Sequence, residues 1–255
     1  MRGGAVLKAL VEAPGLSGPA GQAGAPPASA DPATPKAALV LFVGGDGKLG
    51  MTDSGDVTEH GQNFLARSAG LFVERGLATV LIDQPSDAAS EGYRTSEAQA
   101  RDAALVVDYL RGRWRIPVVF VGTSRGTISA ASAAARLGRL GPDALALTSS
   151  VMRHNKRGAA SVYSAGLESI AIPTLIVHNK GDGCPLCPVS DTPRLQSALT
   201  GAARSEIILM SGGGGAGDPC EALSAHGYSG IEKETVSAIS AWILDPNRGP
   251  DRPRQ

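Results

Sequence analysis

The residues best suited to chemistry lie in the segment Gly122-Thr-Ser-Arg-Gly126, a Gly-x-Ser-x-Gly pattern. The β-branched apolar run Val118 to Val121 precedes it, and a stretch of small residues typical of a helix packed closely on a sheet follows. A sharp turn between such a strand and helix presents a serine hydroxyl as a nucleophile, and the flanking glycines leave room for neighbouring backbone. We therefore interpret Ser124 as a nucleophile, with an ordinary strand-to-helix turn as the alternative.

A serine hydroxyl needs a general base, and the sequence contains only four histidines. His226 lies in a loop after the last predicted strand, so the chain order would be Ser, Asp, His, and it is our predicted base. His178 ends a predicted strand and is the second choice, although a hydrogen-bonded structural role is the simpler interpretation. His60 and His154 are interpreted as solvated residues or as residues on the substrate side.

The base must be oriented by an acid that follows a strand between the serine and the histidine. Asp182, in a turn-rich loop after the strand predicted at 174–178, is the predicted acid, and a simple turn aspartate before glycine is the alternative. Asp83, just past the second predicted strand, is the main rival. Asp191 has the position of a helix N-cap.

Acyl transfer also requires backbone N–H groups that bind the oxyanion. The N–H of Arg125, directly after the nucleophile, is one predicted donor. The glycine-rich loop at 43–50 follows the first predicted strand and supplies the second donor, from Gly45 or Asp46. A glycine-rich loop can instead hold phosphate, but this one lacks the Gly-Lys-Ser/Thr ending of a P-loop.

These residues must be positioned by strands and helices that alternate along the chain. Apolar runs predict six strands, at 37–43, 78–82, 118–121, 144–148, 174–178 and 206–210. Helical spacing of apolar residues predicts helices at 63–75, 97–113, 128–137, 193–199 and 231–244. Such alternation predicts an α/β fold, with a doubly wound, mainly parallel sheet and helices on both faces.

Composition limits the classes of partner. The chain has 255 residues, of which 42% are hydrophobic, and a formal net charge of zero. A neutral chain is a poor match for nucleic acid or an anionic membrane, and no apolar run reaches the length of a membrane span. We interpret Lys48, Arg94, Arg125 and Arg153 most simply as solvated surface charges, with contact to an anionic substrate as the alternative.

Three regions are predicted along the chain. Residues 1–35 are rich in Gly, Ala and Pro and predict a disordered leader, whose short apolar stretch is too weak for a signal peptide as written. Residues 36–245 form the predicted globular domain, and 246–255 a polar tail.

From residue 36 to 242 the chain resembles the α/β-hydrolases. The motifs that carry the resemblance are the serine turn at 122–126, the acid loop at 178–182, the histidine loop at 225–228 and, more weakly, the glycine loop at 44–47. The two leading antiparallel strands of that family are not evident here. The segment between Ser150 and Ile172 is too short for a helical cap, so the resemblance is to small lidless bacterial esterases and dienelactone hydrolases.

The resemblance implies a serine hydrolase that cleaves small-molecule carboxylic esters without a metal or another cofactor. Ser124, His226 and Asp182 would form the triad, and an acyl-enzyme would be hydrolysed by water. An acyltransferase or a peptidase would use the same triad on another acceptor. A non-catalytic binding protein on the same scaffold is the alternative from another class.

The three cysteines lie close to the predicted acid and base in sequence. If the acid and histidine loops meet, Cys184 and Cys220 meet as well, and a disulfide between them is the preferred prediction. Cys187 is a second possible partner for Cys220. Unpaired thiols stay open as an interpretation, as does a zinc or redox site. A disulfide implies a periplasmic or secreted protein, whereas its absence would suit the cytoplasm.

Overall fold

The structure is a computed structural model that describes residues 5–16, 34–88, 91–154 and 160–245. The strands are β1 Ala9–Glu12, β2 Ala38–Phe42, β3 Ala78–Ile82, β4 Val118–Thr123, β5 Ala144–Thr148, β6 Thr174–Asn179 and β7 Ser205–Met210. The helices are α1 Phe64–Arg67, α2 Ala69–Val73, α3 Glu97–Trp114, α4 Gly126–Leu137, α5 Thr192–Ala198 and α6 Glu232–Leu244.

The described strands form one sheet of seven in the order β1-β3-β2-β4-β5-β6-β7. All neighbours are parallel except β1, which pairs antiparallel with β3 at one edge. The predicted doubly wound, mainly parallel sheet is therefore confirmed, with β1 as a seventh strand. β1 lies within the predicted leader, where its hydrogen bonds to β3 stabilise a short segment that composition alone did not reveal. Residues 17–33 of that leader, and the predicted tail at 246–255, lie outside the described residues.

Apolar side chains cover both faces of the sheet, because successive residues of a strand point to opposite sides. Val40 and Phe42 face one core together with helices α3, α4 and α5. Leu39 and Leu41 face the other core together with α1, α2 and α6. A sheet buried on both faces explains why β2 is an unbroken apolar run.

The helices differ from their predicted forms in one place. The stretch predicted as one helix at 63–75 is two short helices, with Ser68 between them at φ −104° and ψ 2°. α3 begins as predicted, because the Ser96 side chain accepts a hydrogen bond from the N–H of Gln99 as an N-cap.

The connection from β5 to β6 contains only short 3₁₀ turns, at Val162–Ala165 and Leu167–Ser169, in its described part. This agrees with the expectation that the sheet edge has no helical cap. Across the described residues, the helices are too short or too polar to cross a lipid bilayer.

Candidate active site

The serine turn joins β4 to α4 in a strained backbone conformation. Ser124 has a φ of +52°, in the left-handed region that non-glycine residues rarely adopt. A Cβ on Gly126 would lie 1.9 Å from the carbonyl oxygen of Phe42, and one on Gly122 would lie 2.6 Å from the carbonyl oxygen of Gly126. Both glycines are therefore required for the strand and helix to meet this closely around Ser124.

The predicted acid and base are hydrogen-bonded to each other. Asp182 follows β6, and His226 lies in the 3₁₀ turn Ala225–Gly227. Nδ1 of His226 lies 2.9 Å from Oδ2 of Asp182, and both side chains are almost fully buried. A carboxylate at this nitrogen selects the tautomer with the proton on Nδ1, which leaves Nε2 free to accept a proton.

The end of β5 holds the serine turn and the histidine turn side by side. The N–H of Ser124 donates to the carbonyl oxygen of Thr148 at 3.0 Å. The hydroxyl of the next residue, Ser149, donates to the carbonyl oxygen of His226 at 2.7 Å. Ser124 and His226 are thus anchored to adjacent residues of one strand end.

A buried tyrosine reinforces this arrangement. The hydroxyl of Tyr228 donates to the carbonyl oxygen of Val177 at 2.9 Å and accepts from the N–H of Ser149 at 3.1 Å. Burial raises the pKa of this phenol, so it stays a neutral donor. The histidine turn is therefore bonded to the ends of both β5 and β6.

Nε2 of His226 is buried and has no hydrogen-bond partner among the described residues. The serine–histidine hydrogen bond is therefore not made in this structure. Catalytic hydrogen bonds are often long in the absence of substrate and tighten in the complex. The arrangement supplies an oriented imidazole with an unused acceptor, anchored to the same strand end as a serine on a strained turn.

A second histidine, His178, shares the same carboxylate. Its Nε2 lies 3.2 Å from Oδ2 of Asp182 and 2.8 Å from the carbonyl oxygen of Cys187. Burial acts to raise the pKa of Asp182, but hydrogen bonds from His178 and His226 outweigh it and keep the pKa below its usual value. His178 is fully buried. It has the structural hydrogen-bonding role that the sequence favoured for it.

The glycine loop after β2 lies against the serine turn. A Cβ on Gly44 would be 3.0 Å from Cβ of Ser124. Gly45 has a φ of +58°, and the loop closes with a hydrogen bond from the N–H of Gly47 to the carbonyl oxygen of Gly44. Gly44, directly before the predicted oxyanion residues Gly45 and Asp46, thus lies against the nucleophile, and Arg125 follows the nucleophile in the chain. The oxyanion role of these residues stays a prediction.

His60 lies on the same loop surface. Its Nε2 is 3.0 Å from Oδ1 of Asp46, and its side chain is 42% exposed. Burial acts to raise the pKa of Asp46, but the N–H of Lys48 and the His60 ring together lower it below the usual value. His60 is therefore partly exposed and paired with Asp46, and its interpretation as a solvated or substrate-side residue stays a prediction.

Arg94 is the residue that sequence reasoning missed. The interpretation of Arg94 as a solvated surface charge is wrong, because the residue is only 7% exposed. Its guanidinium donates to the carbonyl oxygen of Gly45 at 2.8 Å and to the hydroxyl of Ser129 at 2.9 Å. A single arginine in a loop has no periodicity that would reveal burial, so the sequence carried no signal for it.

The rival acids have other partners. The carboxylate of Asp83 accepts hydrogen bonds from the N–H groups of Leu49 and Met51 at 2.6 and 2.7 Å. Asp191 stands at the N-cap of α5 as predicted, but its side chain caps nothing and binds Arg153 at 2.9 Å. Of these carboxylates, only that of Asp182 is hydrogen-bonded to the predicted base.

The predicted disulfide between Cys184 and Cys220 is present and ties the acid loop to the histidine loop. Cys187 is a buried free thiol, whose pKa is raised by burial. Donor atoms of Cys184, Cys187 and His226 lie within 4.8 Å of one another. A metal would need Cys184 as a thiolate. The disulfide occupies that sulfur, so the cluster in this form does not fit a zinc site.

Solved structures of hydrolases superpose on most of the chain. Est1E from Butyrivibrio proteoclasticus matches with a TM-score of 0.58 and 15% identity over 93% of each chain. Dienelactone hydrolase from Anabaena variabilis matches with a TM-score of 0.59 and 15% identity, over 93% of this chain and 91% of that one. A lidless α/β serine hydrolase from Xanthomonas campestris matches with a TM-score of 0.56 and 14% identity, over 96% of this chain and 91% of that one.

The sequence itself matches no protein-family model and no curated protein. At these identities the structural likeness concerns the fold alone, over 93–96% of this chain. The chain has the α/β-hydrolase fold.

Proposed function

We propose that this chain is a serine hydrolase that cleaves carboxylic esters of small molecules. The observation that carries the proposal is the buried hydrogen bond of 2.9 Å between Asp182 and His226, in a turn anchored to the same strand end as a serine held at φ +52°. An ordinary strand-to-helix turn needs neither a strained serine nor an oriented imidazole nearby. The likeness to esterases of the same fold supports the same conclusion.

The proposed reaction begins when Oγ of Ser124 attacks the ester carbonyl carbon and Nε2 of His226 takes the hydroxyl proton. Asp182 stabilises the resulting imidazolium through its hydrogen bond to Nδ1. The N–H of Arg125 and an N–H of the Gly45–Asp46 region bind the tetrahedral oxyanion. The imidazolium then protonates the leaving alcohol, and water releases the acyl group by the same steps. The chain's own residues provide each of these functions, and the proposal includes no cofactor.

Apolar side chains follow the nucleophile along α4. Ile128, one helical turn after Ser124, packs with Val151 and with Cys184 of the disulfide in a small apolar cluster. Est1E has been solved with ferulic acid bound. An ester panel should therefore include both short aliphatic acids and an aromatic acid of that kind.

The decisive variant is Ser124→Ala. We expect it to reduce turnover of short p-nitrophenyl esters by more than about 10³-fold, because no other group can form the acyl-enzyme. Initial rates and labelling by a fluorophosphonate probe, read by mass spectrometry, provide the measurement. Ser197→Ala, on the exposed face of α5, is the matched control and should retain both.

Undiminished turnover in Ser124→Ala with an intact fold would rule the mechanism out. Failure of the probe to label wild-type Ser124 would favour a binding protein on the hydrolase scaffold. Products formed with added alcohols or amines separate hydrolysis from acyl transfer.

We also propose that the protein works in an oxidising compartment, in the periplasm or outside the cell. The disulfide between Cys184 and Cys220 supports this, because cytosolic thiols are kept reduced. The intact mass of protein taken from its native host, alkylated without reductant, should show one free thiol. Three alkylated cysteines would contradict the assignment.

A further inference from the structure

Arg94 connects the two backbone segments that carry the predicted oxyanion donors. It lies in the 3₁₀ turn Glu91–Thr95, outside both segments. One arm of its guanidinium, Nη2, donates to the carbonyl oxygen of Gly45 at 2.8 Å. The other arm, Nη1, lies 2.9 Å from the hydroxyl of Ser129 and 3.4 Å from the carbonyl oxygen of Arg125. The planar fork therefore spans the gap between the glycine loop and the first turn of α4.

The contact with Gly45 fixes a neighbouring N–H group. The carbonyl of Gly45 and the N–H of Asp46 belong to one peptide unit, which is planar and trans, so the two groups point in opposite directions. A guanidinium that holds the oxygen on one side thereby sets the direction of the N–H on the other. Gly45, on the N-terminal side of this peptide, has a φ of +58° and no side chain, so it offers little steric resistance to rotation of the peptide.

The fit around the guanidinium is close. A Cβ on Gly47 would lie 3.0 Å from Nη2 of Arg94, so the glycine leaves the space that the arginine fills. Within the described part of the chain, the N–H of Asp46 donates to no backbone acceptor. That donor remains available to a substrate oxygen.

We propose that Arg94 is the positioning residue of the oxyanion hole, which aims the N–H of Asp46, rather than that of Gly45, at the substrate oxygen. This inference rests on the proposed hydrolase function. A charge-assisted hydrogen bond to the carbonyl also polarises the peptide, which makes its N–H a stronger donor.

The charge of Arg94 remains in place during the reaction. Burial lowers the pKa of the guanidinium to about 10, and the nearby carboxylate of Asp46 acts against that shift. Arg94 is therefore a cation at neutral pH, behind the peptide that faces the oxyanion. Each of its two terminal nitrogens already donates to the protein, Nη2 to Gly45 and Nη1 to Ser129, and the kinetic test below separates this positioning role from direct binding of a substrate.

The test compares Arg94→Met with Arg111→Met. Arg111 is the matched control, since it also donates to a backbone carbonyl, that of Gly141 at 2.8 Å, but belongs to the opposite end of the sheet. Loss of one oxyanion donor costs about 10²–10³ in kcat. We expect Arg94→Met to lower kcat by about 10²-fold with KM nearly unchanged, and Arg111→Met to leave both unchanged.

The affinity of a trifluoromethyl ketone inhibitor distinguishes positioning of the oxyanion hole from a purely structural role, which would leave this affinity unchanged. The ketone forms a tetrahedral oxyanion adduct with the serine, so its affinity should fall in Arg94→Met by the same factor as kcat/KM. A raised KM with normal kcat would mean that Arg94 binds the substrate directly, and would overturn the proposal. Unchanged kcat and unchanged inhibitor affinity would overturn it as well.

A second variant keeps the test decisive if Arg94→Met fails to fold. Ser129→Ala removes only one anchor of the guanidinium, so kcat should fall by a smaller factor at constant KM, and an unchanged kcat would contradict the proposal. An inactive wild type with an unlabelled Ser124 would overturn the hydrolase function and this role together. An active wild type whose kcat is unchanged by Arg94→Met and by Ser129→Ala would overturn this role alone.

Discussion

At the residue scale, the candidate site depends on one carboxylate that serves two imidazoles. Asp182 accepts from His226 at 2.9 Å and lies 3.2 Å from Nε2 of His178. Its own loop adds the N–H of Cys184 at 2.9 Å. Several donors on one buried carboxylate favour its charged form, which is the form that orients a catalytic histidine.

This arrangement predicts the effect of Asp182→Asn. Replacing the carboxylate removes the group that selects the His226 tautomer, so kcat should fall by about 10⁴-fold. The variant should also change how the free energy of unfolding falls at acidic pH. A depressed folded-state pKa contributes stability above the unfolded value of about 3.9, and this contribution is lost as the pH falls through the folded pKa. Urea unfolding at a series of pH values should therefore show a smaller loss on acidification in the variant.

Asp191→Asn is the control for that comparison. Its carboxylate also has a lowered pKa, through the hydrogen bond with Arg153, but it lies on the protein surface. Its kcat should equal that of the wild type. An Asp182→Asn enzyme with a kcat within about tenfold of the wild type would refute the role of Asp182.

At the element scale, the junction of β4 and α4 determines where the nucleophile stands. α4 can approach the sheet because its inner face is made of small residues, most of them fully buried. The contact is closest at Gly126, whose α-carbon faces the carbonyl of Phe42 in β2. At Gly126, α4 therefore lies so close to β2 and β4, next to the nucleophile, that no side chain fits.

Gly126→Ala tests this junction. The added methyl would overlap backbone atoms that cannot move without displacing β2, so we expect a loss of several kcal/mol or failure to fold. Gly112→Ala is the matched control, because a Cβ there meets nothing within 4 Å. Gly112 lies inside α3, so its replacement should stabilise the protein by about 0.5–1 kcal/mol. Denaturant midpoints measure both, and a Gly126→Ala protein as stable as the wild type would contradict the close contact.

The elements that sequence patterns could predict are those with a strong period. The central strands are continuous apolar runs, and all five appear within a residue or two of the predicted bounds. β1 could not be found in this way, because Ala9–Glu12 is four residues long and depends on pairing with β3. The break at Ser68 was missed for a similar reason, since helical spacing continues across it.

The site residues likewise divide into those that a local sequence pattern reveals and those that depend on long-range contacts. Motif and chain order sufficed to select Ser124, Asp182 and His226, and the structure places the last two in contact. Their catalytic roles stay predictions. The buried position of Arg94 depends on contacts with residues 35 and 49 positions away. Such long-range polar contacts leave no local pattern in a sequence.

At the scale of the whole molecule, one covalent bond joins the two loops that the site brings together. The disulfide closes a segment with a sequence separation of 36 between Cys184 and Cys220. In chain-entropy treatments a loop of this size is worth about 3–4 kcal/mol. Whole domains are stable by only about 5–15 kcal/mol, so the bond contributes a substantial share. The acid and base are therefore held together by the chain's covalent structure as well as by their own hydrogen bond.

The third cysteine gives this bond a consequence for biosynthesis. A newly made chain can oxidise in three ways, and only one of them joins residues 184 and 220. Cys184 and Cys187 are only three positions apart, so the shortest of the three closures is not the native one. A chain that first forms a bond to Cys187 must exchange it for the 184–220 bond before Cys187 is buried, a step that a protein with two cysteines would not need.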